Sequence, residues 1–381
     1  MKTANRYFAM DLLRVFACFL VIHQHCAEQF YGACEPAPIG DDTFFVGINT
    51  SLGRICVPLF VMLSGYFLLP MKGSATQFFK KRLMRILIPF VVWYAVYCIF
   101  RILYAGITPL EATANFLGIF INFHAVWGGH FWFIYMLIGL YLITPVISPW
   151  LERVSKRQLR IFLWLWLVST LLPYLHRYVG HGTFGANDGL WGECFWNPSP
   201  MLHYFTGFAG YYVLGHYMRR YGATTLWRAL PLIVAGYAVT AYFFISSMYD
   251  YKDFAHLEMS FDFNSPNVVA MTYGVFCLFT KIKWQGDNWL GRLLSDFAAR
   301  SYGIYLLHMI VLLLVHDALV AQWPHIFAVA IGDGYTYHRI WGGIPAVLVA
   351  MPIHAVLTFV GVYIVARVLG LLPKSIKWLG V

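Results

Sequence analysis

Ten apolar stretches divide this chain of 381 residues, at approximately 8–26, 52–70, 86–104, 131–148, 160–177, 203–219, 230–247, 265–281, 299–319 and 345–370. Each approaches the roughly 20 residues that an α-helix needs to cross a bilayer. In hydrocarbon every backbone N–H and C=O must be paired inside the protein, so only helices and closed barrels can span. Runs that are apolar all round, rather than alternating, select helices. The expected fold is therefore all-α: a polytopic membrane helical bundle of about ten transmembrane helices, forming a single integral-membrane domain over 1–381. Two shorter runs, near 116–123 and 326–331, are too short to span and read as re-entrant or interfacial segments.

Composition agrees. Hydrophobic residues make up 60% of the chain and charged residues only 12%, against about 25% charged in soluble domains. The 14 Trp and 25 Tyr suit interfacial belts. No cleavable signal peptide is evident, because the first apolar run is too long and no small-residue cleavage site follows it.

Lysine and arginine set the orientation. They gather in alternate connections: Lys2 and Arg6 before the first span, Lys72, Lys80, Lys81, Arg82 and Arg85, then Arg153, Lys156, Arg157 and Arg160, then Arg219, Arg220 and Arg228, then Lys281, Lys283, Arg292 and Arg300, and Arg367, Lys374 and Lys377 in the tail. The intervening connections hold few bases and many acids, including Asp41, Asp42, Glu111, Asp188, Glu193, Asp250 and Glu258. Ten spans are an even number, so both termini are expected in the cytosol. The net charge of +10 is then an orientation signal, not a nucleic-acid footprint. No separate soluble domain fits in the connections, and no internal repeat is visible.

Seven cysteines are present. Cys18, Cys56, Cys98 and Cys277 lie in apolar runs and read as buried small hydrophobes. Cys26, Cys34 and Cys194 fall at or in outer loops, where a Cys34–Cys194 disulfide would leave one over. No Cys/His spacing resembles a metal site.

One span carries unusual chemistry. Residues 11–26 read DLLRVFACFLVIHQHC. A charge at the bilayer centre costs about 2.5–3.5 kcal/mol on insertion scales, and such residues tend to face functional cavities. Arg14 and His25 are eleven residues apart, about three turns, so they share a face roughly 16 Å apart along the axis. They mark two points on one polar passage rather than a compact dyad. Arg14 can also snorkel or pair with Asp11 at i,i+3. His23 points to a different face from His25.

Several segments together resemble the membrane acyltransferase family 3, integral-membrane enzymes that decorate bacterial surface glycans. Arg14 and His25 fit its R-x10-H pattern. SGYFL within VPLFVMLSGYFLLP (57–70) fits S-G-x-x-L at Ser64, Gly65 and Leu68. RLMR (82–85) fits R-x-x-R. HFWFIYMLIGLYLITPVI (130–147) and SYGIYLLHMIV (301–311) are similar to its fourth and ninth spans. The resemblance covers nearly the whole chain. SGYFL and HFWF are most similar to the branch that includes the enterobacterial common antigen O-acetyltransferase.

The resemblance implies a bacterial inner-membrane O-acyltransferase. Its donor would be cytosolic acetyl-CoA, or another acyl-CoA such as succinyl-CoA. Its acceptor would be a hydroxyl of a glycan or lipid-linked sugar. Arg82 and Arg85 would hold the phosphates of the donor, with Arg14 positioning it. His25 would be the base or the acyl carrier, since a neutral imidazole can accept a hydroxyl proton. Ser64 and Gly65 would lie near the donor, or would let helices pack closely. Trp132, Tyr305 and His308 would line the acceptor cavity. In the fifth connection Trp191, with Trp196, Asp188 and Glu193, would meet the sugar or form an interfacial belt. No metal is implied. There is no appended hydrolase-like domain, so the chain would finish the transfer itself or pass the acyl group to a partner.

Two other classes remain open on the residues alone. A glycan transporter or flippase also uses buried Arg and His, but the expected inverted repeat and paired interrupted spans are not seen. A ligand sensor would release no CoA with any acceptor.

Overall fold

The computed structural model describes residues 8–31, 41–119, 129–172, 174–175, 206–249, 257–284, 288–327, 339–340 and 344–381. The principal helices are α1 (Phe8–Tyr31), α2 (Asp41–Ser51), α3 (Cys56–Leu68), α4 (Ala75–Ala105), α5 (Pro109–Gly118), α6 (Trp132–Arg153), α7 (Lys156–Ser169), α8 (Phe208–Tyr221), α9 (Leu226–Tyr249), α10 (Pro266–Thr280), α11 (Trp289–Gln322) and α12 (Val347–Leu369). Arg339–Ile340 (β1) pairs antiparallel with Ile344–Pro345 (β2).

Each of the ten apolar runs is helical within the described residues. Among the described residues seven helical segments are long and apolar enough to cross a membrane. Helices α7, α8 and α10 hold only 14, 14 and 15 residues. Large apolar side chains point outward, such as Trp227, Leu103, Val146 and Trp164, a surface suited to lipid rather than water. The protein is a multi-pass membrane protein.

Polar residues at the run boundaries set the helix ends. Thr108 and Glu111 form a capping box at α5, and Ser155 and Gln158 form one at α7. Asn288 accepts from the Gly291 N–H at 2.9 Å and starts α11. Each cap satisfies backbone donors that a helix start leaves orphaned. These caps lie well before the apolar residues begin. Helix α4 starts at Ala75, so Arg82 and Arg85 sit two to three turns inside it, not at its start as expected. Helix α11 starts at Trp289 instead of near 299. The second run begins earlier too, as Phe44–Leu68, with a 3-10 turn at Leu52–Ile55.

The chain groups into two compact units. One comprises 1–33, 71–146 and 285–381, the other 34–70 and 147–284. In the first, α1 packs on α11 and α12. Ala17, Leu306, Ala350, Ala355 and Ala366 have no exposed surface. Small residues allow the close backbone approach on which membrane helix packing depends. Near one end of α11, Asp296 accepts from Arg300 and, at 2.7 Å, from the Tyr363 hydroxyl of α12, while Arg367 lies 3.6 Å away. Cys26, expected at a loop, is instead buried in α1, with its Sγ 3.9 Å from Thr358 Oγ1. The apolar run ends there, but the helix continues to Tyr31.

In the second unit, α3 and α8 cross at backbone contact. A Cβ on Gly65 would lie 1.8 Å from the Tyr212 carbonyl oxygen, and one on Gly215 would lie 2.0 Å from that of Met62. Helices α9 and α10 are tied by Asn267, whose Nδ2 donates to Thr240 Oγ1 at 2.7 Å and to the Ser260 carbonyl at 2.8 Å.

Candidate active site

Helix α1 runs unbroken from Phe8 to Tyr31. Arg14 and His25 therefore keep their separation of roughly 16 Å, and different groups surround them.

At the His25 end, three imidazoles from three elements converge. His25 comes from α1, His130 from the turn Gly129–Phe131 ahead of α6, and His308 from the middle of α11. Ring centroids lie 5.2 Å apart for His25 and His308, 4.9 Å for His130 and His308, and 6.2 Å for His25 and His130. His130 and His308 are buried, with 4% and 0% of their surface exposed. Rings of Tyr97, Phe131 and Tyr305 pack around His130 at 5.6, 4.1 and 5.6 Å.

Hydrogen bonds fix how these rings present their nitrogens. Nδ1 of His25 lies 2.9 Å from the Glu28 carboxylate, one turn along α1. Nδ1 of His308 lies 2.5 Å from the Tyr305 carbonyl. An oxygen on Nδ1 favours the tautomer with its proton there, so Nε2 is left as an acceptor. The Tyr305 hydroxyl donates to the His130 backbone carbonyl, and Tyr97 donates to the Leu306 carbonyl at 3.0 Å. These bonds pin the turn to α11 and α4 to α11. Of the acceptor-lining residues expected, Tyr305 and His308 do join His25, and Trp132 follows the turn with 38% of its surface exposed. Trp191, Trp196, Asp188, Glu193, Cys34 and Cys194 lie outside the described residues. His23 stands apart, its ring 6.1 Å from that of Phe19.

His130 and Glu28 were not singled out from the sequence. His130 opens the HFWF segment, yet it precedes the apolar run and belongs to no helical face. Glu28 follows His25 by three residues, a spacing that does predict contact.

At the other end of α1, Arg14 lies 3.4 Å from Asp11, the pairing that its spacing allowed. Arg82, Arg85 and Arg14 all act electrostatically on the buried hydroxyl of Tyr141. Arginines of two helices, α1 and α4, thus lie within electrostatic range of one residue of α6. Arginine in such a group suits phosphate, which its planar fork binds by charge-assisted bonds.

Ser64 and Gly65 sit in the second unit. The Ser64 hydroxyl donates to the Phe60 carbonyl of its own helix at 2.9 Å. Gly65 fills the α3–α8 crossing, where no side chain fits. Among the described residues, no group of three or more His, Cys, Asp or Glu is arranged to hold a metal ion.

The sequence from residue 7 to residue 369 matches the model of acyltransferase family 3, described as an acyltransferase domain. No curated protein and no solved structure matches the chain. The family match runs through α1 with Arg14 and His25, through the arginines of α4 and through the His130 and His308 segments. The chain belongs to acyltransferase family 3 and is a membrane acyltransferase.

Proposed function

We propose that the protein is an O-acetyltransferase of the bacterial inner membrane, with ten spans and cytosolic termini. On this reading it moves an acetyl group from acetyl-CoA to a hydroxyl of a glycan or lipid-linked sugar. The observation that carries the proposal is the histidine group at one end of the stretch of α1 whose other end holds Arg14, with Arg82 and Arg85 of α4 in electrostatic range of the same Tyr141 as Arg14. The branch around the enterobacterial common antigen O-acetyltransferase is the family setting this reading favours.

The nucleotide phosphates of the donor bind at Arg82 and Arg85 from the cytosol. Arg14 extends the positive field inward and positions the donor; at roughly 16 Å from His25 it takes no part at the reacting carbon. The pantetheine arm follows α1 toward the outer half and delivers the thioester to His25. The acceptor arrives from outside, past Trp132 and the connection that holds Trp191.

His25 is the base. Glu28 accepts its Nδ1 proton, which turns Nε2 toward the reactants and stabilises the imidazolium that forms; this is the logic of a base oriented by a carboxylate. The acceptor hydroxyl loses its proton to Nε2 as its oxygen attacks the thioester carbonyl. Gly65 serves packing on this reading, and the Ser64 hydroxyl stays within its helix.

The test is acetyl-CoA binding and thiol release by purified protein in detergent, with a crude lipid-linked glycan extract as acceptor. Wild type should bind and release CoA. Arg82→Ala/Arg85→Ala should lose binding. His25→Gln should bind but release at least about 100-fold less, the usual scale of a lost general base. Wild type that binds no acyl-CoA would return these residues to a translocation path.

A further inference from the structure

His130 has a property that neither other imidazole of the cluster shares. It is buried, and neither of its ring nitrogens has a hydrogen-bond partner among the described residues. A buried polar atom without a partner is destabilising, and His130 carries two. Its surroundings do not relieve this, because Tyr97, Phe131 and Tyr305 meet it with their rings. The position is nevertheless held deliberately, by the Tyr305 hydroxyl on its backbone carbonyl. A phenylalanine would fill the same space without the unpaired nitrogens.

The proton inventory suggests why an imidazole stands there. His25 and His308 each have Nδ1 on an oxygen, of Glu28 and of the Tyr305 carbonyl. Each therefore presents an Nε2 lone pair. Two such acceptors can take a proton from the reactants, but neither ring can pass it through to a second group without breaking its Nδ1 bond. His130 can receive a proton at one nitrogen and release another from the opposite nitrogen.

We propose that His130 is a second catalytic imidazole, which carries the acceptor's proton from His25 to the departing sulfur of the donor. This rests on the acyl-CoA reading given above. The step balances. The acceptor O–H bond breaks and its proton goes to Nε2 of His25, while the hydroxyl oxygen bonds the acyl carbon. The C–S bond breaks and its electron pair leaves on sulfur. The His25 imidazolium returns its proton to one nitrogen of His130, directly or through one water. The other nitrogen of His130 gives up its proton to sulfur. Both rings end neutral, and the products are the ester and the free thiol. The His308 ring lies 4.9 Å from that of His130 and 5.2 Å from that of His25.

The experiment compares two donors in purified, detergent-solubilised protein with the glycan extract as acceptor. Acetyl-CoA leaves as an alkyl thiolate that needs a proton. S-(4-nitrophenyl) thioacetate leaves as a stabilised aryl thiolate that does not. His130→Gln and His130→Asn should slow transfer from acetyl-CoA about 100-fold or more, the scale of a lost general acid. Their affinity for acetyl-CoA should stay as in wild type, which also shows that they fold. With the aryl thioester the same variants should lose less than fivefold, whereas His25→Gln should lose activity with both donors. Equal losses with both donors, or loss of acetyl-CoA binding, would make His130 a packing residue and overturn the proposal alone. Wild type that releases thiol from neither donor would overturn the acyl-transfer reading, and this proposal with it.

Discussion

Replacing Gly65 by alanine asks a precise question of the α3–α8 crossing. The added Cβ would lie 1.8 Å from the Tyr212 carbonyl oxygen, 2.7 Å from its carbon and 3.0 Å from its Cα. The first distance is more than 1 Å short of any tolerated contact, and all three atoms are backbone. No rotamer change relieves the clash, so the two helices must move apart by about 1 Å. Overpacking costs typically 1–3 kcal/mol, and an unyielding backbone puts this case at about 3. Alanine also returns about 1 kcal/mol of helix propensity over glycine. The expected net loss is thus about 2 kcal/mol.

Gly215→Ala meets the Met62 carbonyl oxygen at 2.0 Å across the same helix pair and should cost a similar amount. The two sites share one displacement. Once the first methyl has parted the helices, the second finds space already made. The double variant should therefore fall short of the sum of the singles by about 1 kcal/mol or more, as coupled sites do. The assay is reversible unfolding in mixed detergent and denaturing surfactant, followed by tryptophan fluorescence. Single variants as stable as wild type would refute the crossing. Strict additivity would refute the shared displacement.

Three further outcomes follow from particular contacts. Glu28→Gln should lower kcat about tenfold at unchanged acetyl-CoA affinity, a modest effect because Glu28 is half exposed and water partly replaces it; steady-state kinetics and donor binding check this. Tyr305→Phe removes the hydroxyl that holds the His130 carbonyl. It should cost about 1 kcal/mol of stability, measured by the same unfolding assay, and should slow transfer by loosening His130. Asp296→Ala frees Arg300, Arg367 and Tyr363; the loss in the same unfolding assay should be about 1 kcal/mol in low salt and smaller in high salt, since these groups are partly exposed and screened.

Much of the helical framework is local and was therefore legible. Apolar runs act within a few positions, so the ten runs emerge as helices within the described residues. Helix starts were misplaced where polar turns precede the apolar part, as in α4 and α11. Hydropathy marks the lipid-facing length of a helix, not its hydrogen-bonded length. The spacing of Arg14 and His25 also survived, because an unbroken helix converts sequence separation directly into distance.

What the sequence alone determined is the membrane class, the run of helices and the polar face of the first one. Only the tertiary structure decided which residues meet that face. His308 lies 283 positions after His25 in the chain, and their rings meet because α1 packs against α11 with those two faces in phase. His130 belongs to a short turn with no periodicity, so its place depends on the Tyr305 hydroxyl and on the packing of Tyr97. Arg82 and Arg85 of α4 and Arg14 of α1 share the electrostatic range of Tyr141, a residue of a third helix. For Gly65, expected near the donor or at a close helix packing, the close approach is to the Tyr212 carbonyl oxygen of a helix remote in sequence. In each case the deciding contact joins elements remote in sequence, and its geometry follows from how whole helices pack, which no local pattern of residues encodes.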